Sequence, residues 1–144
     1  MIDQILQNKI IMSAVIGTII CQTWKVLHNL FWEKRLDGKL FFATGGMPSS
    51  HSTFVAALAT AIGYTEGWLS PIFLLSLGFA MVTIRDAFGV RHTVDDLIKT
   101  VNDIIHKKKF KMVMIKKIAG HTPIQVMIGT LLGIGVAVGV YFLW

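Results

Sequence analysis

The stretch from Pro123 to Trp144 reads PIQVMIGTLLGIGVAVGVYFLW and carries no charged side chain. A bilayer core takes about 20 such residues per helix, and inside it every backbone N–H and C=O must be satisfied within the segment, so this stretch reads as a membrane helix. Three more apolar segments precede it. Ile10 to Trp24 can lengthen into Leu6 or into Val26 and Leu27. Ser52 to Tyr64 is shorter, and would span only if its first turn began inside the headgroup region. Trp68 to Ile84 carries Pro71 in its first turn, where proline costs little. The expected fold is an all-α integral membrane bundle of about four membrane-embedded helices, in one domain over residues 1–144. Composition agrees: 15% charged residues, against about 25% in soluble domains, exclude a disordered chain and an ordinary soluble enzyme. The single cysteine, Cys21, excludes a disulfide framework and a cysteine-based zinc site, and reads as packing. Met1 to Asn8 contains Asp3 and no basic region, so no signal peptide is expected and the first segment should be retained.

The net charge of +6 is unevenly placed. Of the 14 lysines and arginines, one, Lys9, precedes the first span, four lie between spans one and two, and nine between spans three and four. The turn between spans two and three carries Glu66 and no positive residue. The positive-inside rule therefore puts the first and third connections in the cytoplasm and both termini outside, with the plasma membrane as the expected location. No soluble basic module with exposed aromatics exists, so nucleic acid is not an expected partner, whereas a basic rim beside anionic lipid is. Within the third connection, Val94, Leu97, Ile98, Val101, Ile104 and Ile105 recur at helical spacing opposite Asp95, Asp96, Lys99, Asn102 and Asp103. That pattern predicts an amphipathic helix on the cytoplasmic membrane surface. The lysine run from Lys107 to Lys117 reads either as a solvated, lipid-attracted loop or as a source of one phosphate ligand.

Three polar clusters interrupt the apolar chain, all in the cytoplasmic connections. TGGMPSSHS, Thr44 to Ser52, puts two glycines, a proline and serines before a helix start, with His51 in its first turn. Such a start is either a simple capped turn or an anion site made by free N–H groups and the helix dipole. RDAFGVRHTVDD, Arg85 to Asp96, crowds Arg85, Asp86 and Arg91 around Gly89; guanidinium forks suit phosphate, although charges at a span end also serve as anchors. GHTPIQV, Gly120 to Val126, opens the last span with a threonine cap and an early proline, and places His121 at a helix start. Two histidines, an arginine and free N–H groups on one face suit phosphoryl transfer, one histidine attacking and the other protonating the leaving oxygen.

PSSH at Pro48 to His51 and GHTPIQVMIG at Gly120 to Gly129 resemble the second and third motifs of the type 2 phosphatidic acid phosphatase (PAP2) and vanadium haloperoxidase superfamily. TGGMPSSHS, DAFGVR and GHTPIQV together resemble its divergent PAP2-related branch of small membrane proteins, over roughly Thr23 to Gly133. The resemblance implies a metal-independent phosphatase without a cofactor. It makes His121 the nucleophile, forming a phosphohistidine, and His51 the general acid, with the backbone N–H groups of Ser49 and Ser50 holding phosphate oxygens. Gln125 stands where the family has a carboxylate that orients the nucleophile, so the orienting residue is Gln125 or Asp86. Ile115 stands where the family arginine would be, leaving Arg91 and Arg85 as phosphate ligands. Lys25 and Arg35 are the candidates for the first motif, although Lys25 could instead snorkel from the end of the first span. A rival register makes His92 the nucleophile with Asp96 as its carboxylate.

The expected function is hydrolysis of a phospholipid phosphomonoester at the cytoplasmic face. Phosphatidylglycerophosphate ranks first, because members of the resembled branch are associated with its dephosphorylation. The alternative is a non-catalytic membrane protein that binds anionic lipid through a degraded site. A transporter or channel subunit is disfavoured, since no ionisable residue lies mid-span. Gly129, Gly133, Gly135 and Gly139 give the last helix a small-residue face through which two copies could pack as a homo-oligomer.

Overall fold

The structure, a computed structural model, describes residues 2–33, 46–108, 114–115 and 120–144. Lys34, Arg35, Lys39, Thr44, Gly45 and most of the basic run, Lys109, Lys111, Lys116 and Lys117, lie outside the described residues. Among the described residues the regular elements are helices: α1 (Ile2–Gln7), α2 (Lys9–Glu33), α3 (Ser50–Glu66), α4 (Pro71–Phe88), α5 (Val90–Lys107) and α6 (Pro123–Leu143).

Local chemistry sets their ends. Asn8 separates α1 from α2, its Oδ1 accepting the Ile10 and Ile11 N–H groups at 3.0 and 3.1 Å. Ser49 and Ser70 cap α3 and α4, with Pro71 in the first turn of α4, where a missing N–H is harmless. Gly67, at φ +93°, ends α3 in a conformation that favours glycine. Thr122 and Gln125 form a reciprocal capping box for α6, followed by Pro123. Inside the helices the hydroxyls of Ser13, Thr18, Thr53, Thr65 and Thr130 donate to the carbonyl four residues back, so they bring no unpaired polar group into lipid.

Lys9–Phe31, Pro71–Lys107 and Pro123–Leu143 are long and apolar enough to cross a membrane. The first expected segment proves longer: α2 has 25 residues, which puts Lys25 inside the helix rather than in a connection. The short second segment becomes the centre of the bundle. With 17 residues, α3 packs against α2, α4 and α6 and buries Val55, Ala56, Ala57, Ala59 and Ala61. Small side chains let the backbones approach closely. On α6 a Cβ at Gly129 would lie 2.5 Å from the Ser49 carbonyl oxygen, and one at Gly133 would strike that of Thr53. Gly135 and Gly139 face open space. The glycine face expected for a second copy is thus half consumed within the chain.

The amphipathic helix forms as expected. A single residue, Gly89, separates α5 from α4, its N–H still donating to the Arg85 carbonyl at 2.9 Å. Ile98 and Ile105 are buried, while Asp96, Lys99 and Lys107 are exposed. At the other end of the bundle Tyr64, Trp68, Phe73, Tyr141 and Phe142 form a chain of ring contacts. Lys9 Nζ joins it by donating to the Tyr141 carbonyl at 2.8 Å.

Candidate active site

Backbone hydrogen bonds bring the three polar clusters to one end of the bundle. The His121 N–H donates to the Ala87 carbonyl in the last turn of α4 at 3.0 Å, and the Ser49 N–H to the Gln125 carbonyl of α6 at 3.1 Å. Gly120 lies against the start of α5, where a Cβ would come within 2.6 Å of the His92 nitrogen. Only glycine allows this approach, which fixes His121 beside the α4–α5 junction.

His121 is 2% exposed. Its Nδ1 lies 3.3 Å from Gln125 Oε1, and the same oxygen accepts the Thr122 N–H at 3.0 Å. The backbone N–H can only donate, so it identifies this side-chain atom as the oxygen, and an oxygen can only accept from the imidazole. Nδ1 therefore carries the proton, and in the neutral ring Nε2 keeps its lone pair. Burial holds the His121 pKa below its ordinary value; the Gln125 contact raises it, and the nearby charges of Lys25, His51 and Arg91 lower it further.

His51, the second residue of α3, lies in the field of Arg91, Lys25 and Asp86. Lys25 does not snorkel: it is 6% exposed and its Nζ donates to Ser50 Oγ at 3.3 Å. Arg91 Nε donates to Asp86 Oδ2 at 2.6 Å. Asp86 thus holds Arg91, and the side chain that meets the His121 ring is that of Gln125. Ser49 also departs from expectation. Its N–H is taken by Gln125 and its Oγ caps α3, which leaves the N–H groups of Ser50 and His51 as the first of the helix without an intrahelical carbonyl. Arg85 is exposed, with its guanidinium over the Phe88 ring at 5.8 Å. His92 pairs with Asp96 at 3.1 Å, both well exposed, whereas His121 is buried.

One polar residue enters unannounced. Asp95 Oδ2 accepts the Gly120 N–H at 2.6 Å, tying α5 to the residue before His121. In the sequence it belongs to the polar face of an amphipathic helix, where the residue that spacing singles out is its neighbour Asp96. Among the described residues no group of three or more His, Cys, Asp or Glu could hold a metal ion. The assembled site offers an unprotonated imidazole nitrogen, a second histidine, two cations and the start of α3. These are the parts needed to hold an oxyanion and transfer a phosphoryl group.

Residues 6–136 match the family described as the divergent PAP2 family. The uncharacterized membrane protein YuiD of Bacillus subtilis (strain 168) is 33% identical over 146 residues, an alignment covering 91% of this chain and 92% of that protein. No solved structure matches the chain.

Proposed function

Because the chain belongs to the divergent PAP2 family, we propose that it is a membrane lipid phosphatase that hydrolyses a phosphomonoester at the cytoplasmic face, with phosphatidylglycerophosphate first among its substrates. What supports this reading most is that His51, Lys25 and Arg91 lie near enough to act electrostatically on His121, whose Nδ1 faces Gln125. His121 Nε2 attacks phosphorus and the P–O bond to the lipid alcohol breaks, the departing oxygen taking a proton from His51. Water, losing a proton to the now neutral His51, then cleaves the phosphohistidine, releasing inorganic phosphate and restoring neutral His121 and protonated His51. Arg91, Lys25 and the first N–H groups of α3 hold the phosphoryl oxygens throughout.

Purified protein in detergent is expected to release phosphate from phosphatidylglycerophosphate without added metal, and His121→Ala and His51→Ala to abolish release. Equal silence of wild type and both variants across a panel of lipid phosphates would overturn the phosphatase reading. That outcome would favour the second one, a non-catalytic anionic-lipid binder, for which the amide of Gln125 in place of a carboxylate is the specific observation.

A further inference from the structure

We propose that the cleft between α4 and α6 is the binding groove for one acyl chain of the lipid whose phosphate sits at His121. The identity of the headgroup rests on the phosphatase reading; the groove itself rests on packing.

Helices α4 and α6 both lean on α3 but barely touch each other. Between them is a cavity of about 190 Å³, open on one side, with a floor of Ala56 and Ala59 and walls of Ala80 and Ile84 on α4 and Thr130 and Ile134 on α6. The Thr130 hydroxyl donates to the Val126 carbonyl, so the lining offers a chain almost wholly apolar surface. Alanines at the floor and wall create the space, which larger side chains would fill.

The groove differs from ordinary lipid-facing surface at its two ends. The far end is closed by Trp68 and Phe73, whose rings meet edge to face at 5.1 Å. Toward the near end all three helices run into the phosphate site. Ile84 lies one turn before Ala87, whose carbonyl holds the His121 N–H. Thr130 follows Gly129, which touches Ser49. On α3 the floor alanines follow His51 by one to two turns. From Phe73 to Ile84 the helix rises by roughly 16 Å at 1.5 Å per residue, about half of a hydrocarbon core of roughly 30 Å. The groove therefore runs most of the way from the cationic end of the bundle to its aromatic end, a length that suits a single extended chain hanging from an anionic headgroup.

Photo-crosslinking tests this on the His121→Ala protein, which leaves Lys25 and Arg91 in place and needs no turnover. Two probes of equal chain length carry a diazirine on one acyl chain, one a phosphatidate and the other a phosphatidylcholine. The phosphatidate probe is expected to label the segments around Ala80 to Ile84 and Thr130 to Ile134, to shift toward Trp68 and Phe73 as the diazirine moves down the chain, and to be displaced by unlabelled phosphatidate. The phosphatidylcholine probe should label outward residues such as Leu75 without displacement. Thr130→Leu and Ala59→Leu are each expected to weaken displacement about tenfold, the equivalent of fewer than two buried methylenes, whereas Leu75→Ala is expected to leave it unchanged. Identical, undisplaced labelling by both probes, or labelling insensitive to both filling variants, overturns the groove. Headgroup-dependent labelling together with a wild type that releases no phosphate overturns the phosphatase reading and leaves the groove standing.

Discussion

His121 carries its proton on Nδ1 because Gln125 offers it an oxygen that already accepts the Thr122 N–H. The amide oxygen orients the ring and favours its charged form only weakly, and burial outweighs that contribution. The sign follows directly. In the proposed mechanism the attacking imidazole of His121 must be neutral, and its pKa is held below the ordinary 6.5, so the acid limb of kcat/KM is expected to have its midpoint below pH 6.5. A carboxylate would favour imidazolium, so Gln125→Glu should move that limb to higher pH. A phosphate-release profile measured across the acid range for both proteins checks the position and the shift. The two histidines and Arg91 were legible because they sit in short motifs beside glycine or proline. The roles of Ser49 and Asp86 were not, because each is decided by a partner: the Ser49 N–H by a carbonyl 76 residues away, and the Asp86 carboxylate by the guanidinium of Arg91.

Among the elements, α3 and α6 are joined through backbone rather than through large side chains. Gly129→Leu and Gly133→Leu drive a side chain into the backbone of α3, and each is expected to cost about 1–3 kcal/mol by overpacking. Gly135→Leu and Gly139→Leu, whose added atoms meet open space, should be tolerated. Thermal melts of the four variants in detergent separate the two halves of the stripe. The glycine spacing announced close packing but could not say against what, since i, i+4 pairs look alike whether they face α3 or a second chain. Helix α5 presents a similar case. Its apolar spacing revealed an amphipathic helix, but not that one of its polar residues anchors the segment leading into α6. Asp95→Ala leaves the Gly120 N–H without this acceptor, which typically costs about 1–3 kcal/mol. Phosphate release by this variant should fall, whereas Asp95→Asn, which keeps an acceptor oxygen, should restore most of it.

For the whole molecule, the polar clusters occupy one end of the bundle and the aromatic rings with Lys9 the other. The expected orientation puts the histidine end in the cytoplasm. Cysteines introduced at Lys108 and at Glu66 should therefore label from opposite sides of sealed vesicles, Lys108 from the cytoplasmic side. Cys21 is fully buried and should contribute little background. Labelling of both sites from one side would overturn the topology. The central helix has one more consequence. At 17 residues α3 rises only about 25 Å, some 5 Å less than a typical hydrocarbon core of about 30 Å, while α2 and α6, with 25 and 21 residues, are longer. Such a mismatch is relieved by thinning the bilayer locally or by drawing the short helix's ends below the headgroup plane. On the proposed reading, the end of α3 that carries Ser50 and His51 is expected to sit below the headgroup plane, at the depth where phosphate and chain meet. Membrane thickness becomes a variable to which the protein responds, with thinner bilayers bringing the headgroup level down to the histidines.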